Sequence, residues 1–293
     1  MLLVKGEGMP PDLTEGIRLL HSSAAKGCLP AMSELGYIYL EGHYGIPTDQ
    51  AEALKWIRPA AQKGWANAQF NLGYCYERGL GVETNFAQAA TWYRLAAQQT
   101  NLVAVGSLGA LCLEGRGLPR DYGLAERLLK QAMDGGNIRA KLNLGNLYAN
   151  KGFRTNMFES GVRLIRDAAE AGDFRAQAEL AMLYFHGKGV AKDLTNYVVW
   201  TRKAADQGLA EAQNSIGYAC ETGDAGDTDL VEAYMWYQLA AKQGEPRSKA
   251  NLKRLMPRLT PEQISEGDRR VLMFRSRATE LPNPLSGASA DLP

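Results

Sequence analysis

Ala66-Asn-Ala-Gln-Phe-Asn-Leu72-Gly73-Tyr-Cys-Tyr76, then Arg78-Gly-Leu-Gly-Val82, then Asn85 and Ala89-Ala-Thr-Trp92-Tyr-Arg-Leu-Ala96-Ala97 is the stretch whose pattern decides the fold. Ala66, Ala68, Leu72, Gly73 and Tyr76 stand at helical spacing, so small and large apolar residues share one face. The small ones let a second helix approach closely. No helix survives the Gly-rich turn Arg78–Val82. Asn85 then offers a short polar side chain to the orphan N–H groups of a new helix. That helix carries Ala89, Trp92, Ala96 and Ala97 on one face and ends where a glycine is the usual stop. The unit is helix, turn, helix, stop.

The same unit recurs along the chain. The stop falls on Gly27, Gly64, Gly136, Gly172, Gly208 and Gly244, in steps of 36 residues or a multiple from Gly64 on, with Thr100 in the vacant slot and a step of 37 before Gly64. Leu35-Gly36, Leu72-Gly73, Leu108-Gly109, Leu144-Gly145, Leu180-Ala181 and Ile216-Gly217 keep the same beat. So does a slot holding Trp56, Trp92, Leu128, Leu164, Trp200 and Trp236. The one extra residue therefore lies between Gly36 and Trp56, in the long turn Gly42-His-Tyr-Gly-Ile-Pro47. Asp49, Asp121, Asp193 and Asp229 match Asn85 as caps. One hairpin cannot bury its apolar stripe alone, so the spacing predicts an all-α, α/α solenoid of about six and a half 36-residue repeats.

The expected boundaries are a partial repeat at 1–28 and six repeats at 29–65, 66–101, 102–137, 138–173, 174–209 and 210–245. Capping helices follow at 246–280 and a disordered tail at 281–293. Gly6 to Asp12 reads as a turn and cap leading to a helix over 13–26, whose partner helix would lie upstream of Met1. Thr260-Pro-Glu-Gln263 reads as a capping box with proline at the first helical position.

The pattern A-x-A-x-x-x-L-G-x-x-Y, G-x-G-V-x-x-D, A-x-x-W-x-x-x-A-A-x-x-G resembles the Sel-1-like repeat family, relatives of the tetratricopeptide repeat. Repeat two carries it as Ala66-Asn-Ala68, Leu72-Gly73, Tyr76, Gly79-Leu-Gly81-Val82, Trp92 and Ala96-Ala97. Repeat five carries it as Ala176-Gln-Ala178, Leu180, Tyr184, Gly187-Lys-Gly189-Val190, Asp193, Trp200 and Ala204-Ala205. Repeat three departs, with Cys112 in the Tyr slot and Gln98-Gln-Thr-Asn101 at the stop. Repeat four departs further, with Lys151-Gly-Phe-Arg at the turn and Met157, beside Asn156, at the cap. The middle of the array is therefore expected to be irregular.

The resemblance implies a right-handed superhelix and a non-enzymatic, bacterial scaffold or adaptor that binds a protein or peptide in its concave groove. First helices would line that groove with Asn67, Asn71, Tyr74, Arg139, Asn143, Asn146, Arg175, Glu179, Glu211, Asn214, Tyr218, Arg247 and Asn251. An amide such as Asn71 can both donate to and accept from a peptide backbone. Cysteine-rich relatives linked to penicillin binding supply another reading, carried by the S-x-x-K match Ser23-Ala-Ala-Lys26, although neither S-D-N nor K-T-G occurs in the chain. A periplasmic or secreted envelope-assembly or host-interaction factor is a third, if a signal peptide precedes Met1.

Composition narrows the field. A formal net charge of +1, from 33 basic and 32 acidic side chains, lacks the basic excess that phosphate backbones select for. Membrane spans are not expected, because no apolar run reaches the required length. Cys28, Cys75, Cys112 and Cys220 do not pair within any one hairpin and read as small buried hydrophobes, which with no leader suits a reducing cytoplasm. His21, His43 and His186 stand apart from one another and from the cysteines, so no metal site is expected. The G-x-G turns follow helices rather than strands, which sets aside a dinucleotide fingerprint. No catalytic residue and no cofactor are expected.

Overall fold

Thirteen-residue helices are marginal in water on their own, so each apolar stripe needs a neighbour. The computed structural model, which describes residues 13–149, 155–224 and 226–280, supplies one at each step. Among these residues there are fifteen α-helices, two 3-10 turns and no strand. In chain order they are α1 (Leu13–Ala25), α2 (Leu29–Glu41), α3 (Gln50–Gln62), α4 (Ala66–Arg78) and α5 (Phe86–Gln98). Next come α6 (Leu102–Glu114), α7 (Tyr122–Asp134), α8 (Ile138–Ala149), α9 (Phe158–Glu170) and α10 (Phe174–His186). The last are α11 (Leu194–Asp206), α12 (Ala210–Thr222), α13 (Leu230–Lys242), α14 (Pro246–Leu255) and α15 (Pro261–Glu280).

The chain divides into two compact units, Met1–Asn143 and Leu144–Pro293, the division falling within α8. In the first, every helix from α1 to α6 packs on the next, and α2 also touches α4. In the second, every helix from α9 to α13 packs on the next, and α15 folds back on α13. Successive packing of this kind makes the fold an all-α helical-repeat solenoid. The expected turn and cap at Gly6–Asp12, the turn at 151–154 and the tail at 281–293 lie outside the described residues.

The caps act as the sequence predicts. Asp49, Asn85, Asp121, Asp193 and Asp229 each accept from the backbone N–H three residues on, at 2.8–3.0 Å. Met157 stands at the cap of α9 and makes no such bond, after a 3-10 turn at Thr155–Met157. The box at α15 closes both ways: Thr260 N donates to Gln263 Oε1 at 2.9 Å and Gln263 N to Thr260 Oγ1 at 3.3 Å.

Close approach explains the Leu-Gly pair. A Cβ at Gly36 would lie 2.2 Å from Ile57 Cγ1, one at Gly73 2.7 Å from Tyr93, and one at Gly217 2.9 Å from Tyr237. The side chain seated on the glycine is thus the residue after the Trp slot. Ile57, Tyr93, Leu129, Ile165 and Tyr237 are all fully buried. Trp56, Trp92 and Trp200 are half-buried, the first two packing against the edge of the core, and Trp236 is buried within it. The most buried position of the second helix is therefore one residue past the Trp slot, where a large side chain, aliphatic or aromatic, fills the gap the missing Cβ leaves. In the same register Ala176, not Ala178, matches Ala68, and both are fully buried.

A second recurring device was not foreseen. Gln69, Gln177 and Gln213 are buried, and each donates to a carbonyl of the preceding hairpin, Ala61, Ala169 and Ala205, at 3.2–3.3 Å. Each also accepts from the glutamine that ends its own hairpin, Gln99, Gln207 or Gln243, at 2.8–2.9 Å. Each of these carbonyls also accepts from the stop glycine of its own hairpin, so the glutamine takes the second lone pair and ties one hairpin to the next.

Every stop glycine from Gly27 to Gly244 has a left-handed φ, and Thr100 takes the same conformation at 62°. A β-branched residue is strained there, by about 1–2 kcal/mol. Thr100→Gly is therefore expected to stabilise the first unit by about 1 kcal/mol. An unchanged or lower urea midpoint would show that the strain is relieved in some other way.

Candidate functional site

The residues predicted to line a groove divide between the two units. In the first, Asn67 accepts from Asn101 Nδ2 at 2.9 Å, while Asn71 is buried. Tyr74 stacks on Phe70 at 6.4 Å and lies under Arg78 at 5.7 Å. Burial raises its phenol above the ordinary range, Glu41 adds to this, and Arg139 opposes it. Groups from α2, α4 and α8 thus share one electrostatic neighbourhood. Asn143 is half-buried on α8.

In the second unit, Asn146, Arg175, Glu179 and Glu211 are exposed on α8, α10 and α12. Four other predicted residues come together. Asn214, Tyr218, Arg247 and Asn251 line a recess of about 410 Å³ with Tyr197, Ser215 and Ala250. Arg247 is tethered through Nε to Glu245 Oε1 at 2.7 Å. Asn214 departs from its expected open position, for it is buried and its Oδ1 accepts from Ser248 Oγ and Asn251 Nδ2, both at 2.9 Å. The physical reason is the next first helix, α14, which lays Ser248 and Asn251 over it; Asn71, in the neighbouring register slot, is buried too.

Two apolar neighbours escaped the sequence reading. Met182 occupies the slot of Tyr74 and Tyr218, and Phe185 lies 5.1 Å from the Tyr197 ring; Met182, Phe185 and Tyr218 are 43%, 40% and 49% exposed. The signal was available, since Met182 lies 36 residues before Tyr218. Behind the recess, buried Glu221 accepts from Tyr237 Oη at 2.9 Å and from Arg254 Nη2 and Arg258 Nη1, both at 2.6 Å. This clasp ties α14 and the 3-10 turn after it to α12 and α13, so the rim is held rather than left to side-chain entropy.

The remaining chemistry is structural. Cys75, Cys112 and Cys220 are buried free thiols, but Cys28 departs from the expected burial and is exposed, because it stands in the turn at the cap of α2. Burial pushes Cys75 and Cys220 up to about 12, far from nucleophilic at neutral pH. Ser23, the serine of the S-x-x-K match, bonds the Cys28 thiol. The Ala31 backbone N–H and this hydroxyl together lower the thiol below its ordinary value. Lys26 is exposed at the end of α1. Among the described residues no group of three or more His, Cys, Asp or Glu is placed to hold a metal ion.

The Sel1 repeat model matches residues 1–28, 29–65, 66–101, 105–137, 174–209 and 210–245. The chain belongs to the Sel1 repeat family. Interval 138–173, where the cap of α9 is missing, falls outside the match. Among solved structures, a Sel1 repeat protein of Oxalobacter formigenes is 30% identical over 72% of this chain and 84% of its own, with a TM-score of 0.61. A protective antigen of uropathogenic Escherichia coli displaying an SLR fold is 32% identical over 95% of this chain, with a TM-score of 0.55. This Sel1 repeat protein spans 59% of that antigen's length. An immunity protein of Pseudomonas aeruginosa, 18% identical over 73% of this chain and 81% of its own with a TM-score of 0.54, shares the fold. No curated protein sequence matches. Sel1 repeat proteins are in general scaffolds for protein–protein interaction. Among the described residues no helix is long and apolar enough to cross a membrane.

Proposed function

We propose that this Sel1 repeat protein is a non-enzymatic adaptor that holds a segment of a partner protein in the recess between α12 and α14. The observation that carries the reading is the convergence of Tyr197, Tyr218, Arg247 and Asn251 on one recess. Its chemistry suits an extended chain. Two rings offer apolar contact area at low entropic cost. Asn251 offers an amide to the partner's backbone. Arg247 offers a fork that a carboxylate fits. Exposed Phe185, its ring 5.1 Å from that of Tyr197, adds apolar surface beside it.

A photo-cross-linking amino acid in place of Tyr218 tests this in native lysate. The expected result is one dominant adduct, weakened by Arg247→Ala. The same cross-linker in place of Lys249, exposed on the opposite side of α14, should give no such adduct. Equal adducts from both positions, or none from Tyr218, would remove the recess from the binding surface.

A further inference from the structure

The chain as a whole has a formal charge of +1, yet its basic side chains are not spread evenly. Residues 246–258, which form α14 and the 3-10 turn after it, hold Arg247, Lys249, Lys253, Arg254 and Arg258 and no acidic side chain. All five are exposed. Lys253 and Arg254 fall in the last turn of α14, where cations complement the helix dipole, so helix stability accounts for them in part. It does not account for Arg247. That residue stands in the first turn, where the dipole disfavours a cation. Glu245 caps this turn by accepting from Ser248 N at 2.7 Å and needs no arginine to do so.

Positive charge is left over here, and there is room beside it. Arg247 is the charged residue lining the recess of about 410 Å³, and its side chain is 64% exposed. Glu245 takes its Nε, and among the described residues its Nη nitrogens have no partner. Arg254 and Arg258, 53% and 48% exposed, share the single carboxylate of Glu221, which also accepts from Tyr237 Oη. Two cations on one anion leave one positive charge uncompensated. Arg247, Asn251 and Arg254 stand at i, i+4 and i+7, hence on one face of α14. From Arg247 to Arg254 is about 10 Å along the helix axis, which about three residues of extended chain span.

We infer that the segment held in the recess is acidic, with two carboxylates about three residues apart, one on Arg247 and one on Arg254, and an apolar side chain between them against Tyr197 and Tyr218. The inference rests on the reading that the recess holds a partner segment and adds the chemical class of that segment. A carboxylate meets the fork of an arginine through two parallel hydrogen bonds. A cleft of one sign with low-dielectric walls focuses the field and concentrates the opposite charge.

Phage display of random dodecapeptides on the full chain tests this, with counter-selection on Tyr218→Ala to find the clones that need the recess. Those clones are expected to carry a net charge of about −3, with acidic residues separated by two others. The best clone, made with both termini blocked, should bind with a dissociation constant of about 10–100 μM by fluorescence anisotropy. Its Asn/Gln isostere should bind about tenfold more weakly or worse. Arg247→Gln and Arg254→Gln should each weaken the acidic peptide about fivefold, with Tm checked for both. Lys242→Gln, which removes a charge from the end of α13, should leave binding within about twofold. Recess-dependent clones of neutral or basic composition would overturn the inference and leave the adaptor reading standing. So would an isostere that binds equally well, or undiminished binding by both arginine variants. A selection yielding no clone that depends on Tyr218 would overturn both readings.

Discussion

A Gly117→Ala protein is expected to lose about 3–5 kcal/mol of stability in its first unit. Gly117 is the second glycine of the turn after α6, and its φ is 74°. A Cβ there would lie 2.2 Å from both the carbonyl carbon and oxygen of Phe86 and 2.5 Å from the Ala87 nitrogen. Those are backbone atoms at the start of α5, so no side-chain rotation relieves the clash. The turn must lift away from α5 and take part of the contact between successive hairpins with it. Gly136→Ala is the matched control, since its φ is 86° and nothing lies within 4 Å of the added Cβ. It should cost only the conformational share, about 1–2 kcal/mol. Urea unfolding followed by circular dichroism compares the two. Equal shifts would mean that the close approach of turn to helix contributes nothing.

Tyr237→Thr is the second large change, expected to cost about 3–5 kcal/mol because a fully buried ring is removed. Gly217→Ala alone should cost about 1–3 kcal/mol, since its Cβ would press on the Tyr237 ring at 2.9 Å. Made together they should cost less than their sum, by about 1–2 kcal/mol. The fifth repeat motivates this expectation. Ala181 stands there in the glycine slot, and buried Thr201 stands in the slot of Tyr237. A methyl on one helix is matched by a smaller side chain on the other. Strict additivity in the double-mutant cycle would break that account of the pairing.

These two pairings show where reading the sequence succeeds and where it stops. The period, the caps at Asp49 and Asp193 and the Thr260 box were legible because each is a local rule with a fixed offset. Thr100 was legible as a vacancy in the glycine series, but the strain it carries was not, since it depends on the backbone angle imposed by the turn. The Trp slot was legible by its beat, but not which residue seats against the missing Cβ of the neighbouring helix, since that depends on how the two helices approach.

The candidate sites divide in the same way. Tyr218, Arg247 and Asn251 were singled out by their place in the repeat register, and they line one recess. Asn71 and Asn214 were read as open amides but are buried, Asn214 beneath Ser248 and Asn251 of the next first helix, a contact that no spacing within its own helix reveals. Glu221 drew no attention in the sequence, because nothing in a single helix reveals that Arg254 and Arg258, more than thirty residues on, share its two oxygens. By itself the sequence determined the class of fold, the register of its repeats and the ends of its helices. Those follow from periodic burial and helix-end chemistry, which act over a few residues. Only the tertiary structure decided which polar side chains are bound internally and which face a recess. Such outcomes depend on distances between helices, and a spacing along the chain does not contain them.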